Sequence, residues 1–177
     1  MDQEKTKPVT ADKLYTLKAT LIGGLVTEKF RKKNPVVSRT IEIKGNQTLK
    51  TLHYAIFDSV GFDDEHLYGF EIGGRKPGSR SATRYELQPP VGGGGMWGEK
   101  MGRGVTQTKL SSLGLKPRQK FFYEFDYGDE WWWQLEVVSI RDQVPKGKYP
   151  RVIEQVGENP PQYVDWDEED GEEFDEE

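Results

Sequence analysis

Apolar and polar residues alternate along Tyr15-Thr-Leu-Lys-Ala-Thr-Leu21, the period of a strand with one buried face. The basic stretch Lys29 to Asn34 reads as a connector closed by Pro35. Alternation resumes from Val36 to Ile43, with Arg39, Ile41 and Ile43 on one side, and Lys44-Gly45-Asn46 supplies a turn. The period then changes. Leu49, Leu52, Ile56 and Val60 recur at spacings of three and four, which predicts an amphipathic helix capped by Thr48 and stopped at Gly61. Tyr68 to Ile72 reads as a third strand.

Residues 73 to 104 are rich in glycine and carry no clear period, so they are expected to form one long loop. Ser111 or Ser112 caps a single helical turn before Leu113-Gly114-Leu115. Phe121 to Tyr127 and Trp131 to Ile140 are strong strand patterns joined by Gly128-Asp129-Glu130, a short hairpin connection. The expected architecture is α+β: a mainly antiparallel sheet with one principal helix packed on it. The expected domain spans residues 9 to 164, between a disordered tail at 1 to 8 and a disordered acidic tail at 165 to 177.

Composition narrows the chemistry. The chain has 177 residues, one domain's worth, and no cysteine, which excludes a disulfide framework and cysteine-based zinc sites. No apolar run is long enough to span a bilayer, and Met1 to Pro8 lacks the apolar stretch of a signal peptide. A cytoplasmic protein with no membrane contact is the expectation. The net charge of -5 is unevenly placed. Ten of the 30 acidic residues fall between Asp165 and Glu177, leaving 25 basic residues against 20 acidic ones in the rest. A basic body permits contact with nucleic acid and equally describes an ordinary solvated surface.

Several runs resemble one family. Thr48-Leu49-x-x-Leu52-His53-x-x-Ile56, then Gly61-Phe62-Asp63-Asp64-x-His66-Leu67-x-x-Phe70-x-Ile72-Gly73, are similar to the plasmid pRiA4b ORF-3-like proteins. So are Phe122-x-Tyr-x-Phe-Asp126-Tyr127-Gly128-Asp129-x-Trp131 and the segments Tyr149-Pro150-Arg151 and Gly157-Glu158-Asn159-Pro160-Pro161. The resemblance covers roughly residues 14 to 163. It implies an α/β roll found in bacteria, archaea and mobile elements, and it implies no activity. Where the family commonly has a histidine two positions after the hairpin tryptophan, this chain has Trp133. Where the family commonly has cysteines, it has Val152 and Asn159.

The candidate chemistry divides in two. His53, His66, Asp126 and Asp129 lie in the matched runs and form a two-histidine, two-carboxylate set, the material of a hydrolase if the fold brings them together. Read blandly, His53 packs a helix face, His66 orders a loop, and the aspartates bond local backbone N–H groups in the hairpin turn. The histidines lack metal-binding spacing, so no metal or other cofactor is expected. The second set is a basic arm, Arg75, Lys76, Arg80, Arg84, Lys100 and Arg103, suited to phosphates of DNA or RNA. Trp132 joins it: alternation puts Trp131, Trp133, Leu135 and Val137 on the core face and Trp132 on the polar one, where an aromatic serves as a platform for a partner. The expected function is a non-enzymatic binding module for nucleic acid or a protein partner, with the hydrolase as the alternative.

Overall fold

The computed structural model describes residues 12–87, 100–101 and 104–165. Within them the chain forms a single eight-stranded sheet. In chain order its strands are β1 (Leu14–Gly23), β2 (Ser38–Lys44), β3 (Tyr68–Ile72), β4 (Thr83–Glu86), β5 (Lys100–Met101), β6 (Lys120–Phe125), β7 (Trp131–Arg141) and β8 (Arg151–Val156). The spatial order is β5-β4-β3-β6-β7-β1-β2-β8, and every pairing is antiparallel except the two-residue parallel contact of β4 with β5. Two α-helices interrupt the strands: α1 (Glu28–Lys33) and α2 (Leu49–Ser59).

This overturns the α/β roll built on a principal helix. Six and eleven residues are the whole α-helical content of the described chain, and the sheet dominates the architecture. The physical reason lies in the apolar period. Only residues 49 to 60 repeat at 3.6; elsewhere the large apolar side chains alternate, and alternation is satisfied by strand ladders. The long loop is corrected as well, since β4 forms inside it and pairs along β3 from Gly69↔Glu86 to Ile72↔Thr83. The basic connector is helix α1, where Thr27 accepts a hydrogen bond from the Phe30 N–H at 3.0 Å and basic residues fill the last turn.

The core lies on one face of the sheet. Arg39, Ile41 and Ile43 from β2, Phe121, Tyr123 and Phe125 from β6, and Trp131, Trp133, Leu135 and Val137 from β7 are essentially without exposure. Leu52 and Ile56 of α2 join the same cluster, which explains why the helix lies where it does. Among these side chains Arg39 is the exception in chemistry. Its guanidinium donates to the carbonyls of Ser38 (2.8 Å), Ser59 (3.1 Å) and Val156 (2.9 Å), and to Asn159 Oδ1 (2.6 Å). It therefore ties the end of α2 and the end of β8 to β2, and each of its three nitrogens donates to at least one acceptor.

The opposite face is polar and is set by register. Directly opposed residues share a face. Gly69 opposes Glu86 and Glu124, Glu71 opposes Arg84 and Phe122, and Glu124 opposes Trp132. One patch spanning β4, β3, β6 and β7 thus gathers Arg84, three glutamates and Trp132. Residues 1–11, 88–99, 102–103 and 166–177 lie outside the description, and with them the two expected tails apart from Asp165.

Candidate functional site

Arg84 sits at the centre of the polar patch. Its Nη1 meets Glu71 at 2.8 Å, its Nε meets Glu86 at 2.6 Å, and its Nη2 meets Glu124 at 2.8 Å. Burial alone would lower the pKa of the guanidinium, but its hydrogen bonds to Glu86 and Glu124 raise it, and it stays charged. Three carboxylates therefore share one cation. Glu71 spends its second oxygen on the Gly78 N–H (2.8 Å), and Glu86 also accepts from the Tyr127 hydroxyl (3.1 Å). The Tyr127 ring lies 5.1 Å from the Arg84 guanidinium carbon. Burial raises the pKa of Glu124, and the neighbouring Arg84 offsets this only in part.

This cluster floors a pocket of about 710 Å³ whose lining includes Arg80, Tyr127 and Trp132. Gly69 makes the arrangement possible. A Cβ there would stand 3.2 Å from the Tyr127 hydroxyl and 3.3 Å from an Arg84 nitrogen, tight enough that both side-chain ends would have to shift to admit it. Arg80 and Arg84 thus come together with Trp132, as members of one pocket. Arg75 and Lys76 are exposed on the loop before β4. Arg103 and the Lys100 side chain lie outside the described residues.

The histidines part company. His53 is fully buried beneath α2, stacked on Tyr68 with ring centroids 3.6 Å apart and planes within 4°. Its Nδ1 stands 2.6 Å from the Tyr123 hydroxyl and its Nε2 3.3 Å from Glu65. Burial, with a smaller effect from Lys50, lowers its pKa to about 3, so the ring is neutral. A neutral ring with Nε2–H on Glu65 accepts the Tyr123 proton at Nδ1.

His66 lies on the loop before β3. Its Nε2 is 2.9 Å from the Tyr163 hydroxyl, 3.4 Å from Asp64 and 3.6 Å from Asp126. Tyr163 gives its one proton to Asp64, which makes the His66 nitrogen the donor in their contact. That bond raises the Tyr163 pKa to about 12. Asp126 has a positive φ of 55° and accepts the Gly128 and Asp129 N–H groups at 3.1 and 3.3 Å, which is the work of a turn aspartate. Asp129 reaches Asp126 through its backbone N–H. His66 and Asp126 thus come within 3.6 Å of each other, with Asp129 joined to Asp126 through its N–H, while His53 makes its own contacts with Tyr123 and Glu65. Among the described residues no group of three His, Asp or Glu side chains is placed to hold a metal ion. No helix there is long and apolar enough to cross a membrane.

Glu71, Glu86, Glu124 and Tyr127 were absent from the expected site. Their signal is present in part: Glu71 and Glu124 are charges flanked by apolar residues on both sides in their strands, where an unpaired charge is costly.

The family model for the plasmid pRiA4b ORF-3-like protein matches residues 26–169. The chain is also similar to a solved structure, that of the protein of unknown function MM3350 from Methanosarcina mazei Go1, at 25% identity. The likeness covers 82% of this chain and 71% of that one, with a TM-score of 0.61. No curated protein matches the chain.

Proposed function

We propose, for a chain that belongs to the plasmid pRiA4b ORF-3-like family, that it is a binding module whose site is the pocket around Arg84 and whose ligand carries a cation. One observation carries this reading: three carboxylates converge on the Arg84 guanidinium on the floor of a pocket walled by Trp132 and Tyr127, and with Arg80 as the second cation of the lining the carboxylates still outnumber the guanidinium groups. The surplus negative charge is held in partly buried positions, where it is costly and where a cation relieves it. The tryptophan face adds a second attraction for an ammonium or guanidinium group. A small amine and a lysine or arginine side chain of a peptide share this chemistry.

The same geometry argues against phosphate in the pocket. Every nitrogen of Arg84 already meets a carboxylate, and a polyanion would meet three glutamates. Among the described residues of the basic arm, a nucleic-acid ligand would meet Arg75, Lys76 and Arg80 at exposed positions. The hydrolase reading lacks a shared constellation, because His53 is sealed in the core.

The test is a thermal-shift series on the full chain with tetramethylammonium, arginine methyl ester, an arginine tetrapeptide and an acetylated, uncharged control peptide. A bound ligand raises the unfolding midpoint by mass action. The cations raise it and the control does not; the rise disappears in Glu86→Gln and in Trp132→Ala. A duplex oligonucleotide that raises the midpoint when no cation does would overturn the reading.

A further inference from the structure

Among the described residues, strand β8 ends the sheet. It is hydrogen-bonded to β2 on one side, and all six of its residues are exposed. Three of them are large and apolar: Val152, Ile153 and Val156 are 41%, 51% and 38% exposed. An open edge of this kind presents unpaired backbone N–H and C=O groups to any strand that fits it. The sequence Arg151 to Val156 holds neither lysine nor proline; the features that shape this edge are a bulge and the charges of Arg151 and Glu154, which also reach Glu42 (2.6 Å) and Thr40 (3.1 Å) of β2.

The register says what fits. Thr40 pairs with Glu154, but Ile41 pairs with Val152, so Ile153 is the extra residue of a bulge. On a regular strand Arg151 and Glu154 would point to opposite faces. The extra residue returns them to the same face, since Arg151 opposes Glu42 and Glu154 opposes Thr40, two positions of β2 that share a side. Val152 falls on the helix side with Ile41, beside a groove of about 580 Å³ lined by Tyr54, Ala55, Pro150 and Val152. Read in either direction, the centre of β8 is one charge, two apolar residues and the opposite charge.

We infer that β8 is the contact of a homodimer, in which two copies pair antiparallel across a two-fold axis through Val152 and Ile153. Arg151 of each copy then stands opposite Glu154 of the other, and Val152 opposite Ile153, so the two sheets join into one. A two-fold contact requires a surface complementary to itself, and this strand is one. A partner with a different strand would gain the backbone bonds without the reciprocal charge match.

Sedimentation equilibrium of the full chain between about 2 and 100 µM tests it, because dimer population follows protomer concentration. The expected result is a reversible shift toward twice the 20.3 kDa chain mass. Ile153→Lys and Glu154→Arg each return the protein to monomer, the second by setting two arginines together. Both positions are exposed, so the circular dichroism of the variants stays that of the parent, and their unfolding midpoint loses only the dependence on protein concentration that dimerisation gives the parent. A parent that is monomeric throughout the range, or a dimer that survives both substitutions, overturns the inference.

Discussion

The imidazole of His53 has no exposed surface and stacks flat on Tyr68, so charging it means placing a cation in the core. Its folded pKa of about 3 lies below the ordinary histidine value of 6.5. The unfolded chain therefore takes up the proton first as pH falls, and stability drops from about pH 6.5 toward pH 3. At roughly 1.4 kcal/mol per pH unit, this one ring removes about 2–3 kcal/mol between pH 6.5 and 4.5. Urea unfolding at pH 7, 5.5 and 4.5 measures it, and His53→Gln gives a lower value at pH 7 with a visibly flatter pH slope. Trp132 gives a contrasting expectation. It lies on the polar face, so Trp132→Ala lowers the unfolding midpoint far less than Trp133→Ala, whose ring is buried and whose truncation costs about 3–5 kcal/mol. Trp132 could be placed from the alternation of its strand alone. Arg84 could not be placed as the centre of a charge cluster, because its partners Glu71, Glu86 and Glu124 come from three strands that only the fold makes adjacent.

Helix α2 is the element most legible in the sequence, since the Thr48 cap and the stripe of Leu49, Leu52 and Ile56 fix both its start and its buried face. Leu52 is without exposure inside the shared core, and Leu52→Ala costs about 2–5 kcal/mol by denaturant titration. Strands β4 and β8 were not legible, for different reasons. Thr83–Glu86 is four residues long and half-buried throughout, so it has no buried side to mark. Arg151–Val156 is exposed at every position, and a strand that buries neither face leaves no period-two signature. The roll expectation fails at this level: it gives α2 the rank of a principal layer on the sheet, whereas eleven residues of α2 and six of α1 are the α-helical content of the described residues, against eight strands. Arg39 joins elements that neither period could connect. Arg39→Met strands the carbonyls of Ser59 and Val156 and costs roughly 3 kcal/mol or more, read as a lowered urea midpoint.

At the scale of the molecule, the sheet places its two chemically distinct features far apart. The acidic, aromatic pocket lies over β4, β3, β6 and β7, and the open apolar edge is β8 at the other end of the strand order. Ligand binding and pairing of copies are thus expected to be independent: Ile153→Lys leaves the cation-induced rise in unfolding midpoint intact, and Trp132→Ala leaves the sedimentation behaviour intact. The strand order also has a kinetic consequence. β1 is flanked by β2 and β7, and β3 by β4 and β6, so the ladders β1–β7 and β3–β6 join residues about 110 to 130 and about 50 to 60 positions apart. Loops that long must close before their contacts contribute, which places refolding in the slow range of about milliseconds to seconds. During synthesis, the apolar side of β1, β2 and α2 emerges well before β6 and β7 exist to cover it. At about 5–20 residues per second that interval lasts several seconds, long enough for a nascent chain to need shielding from its neighbours.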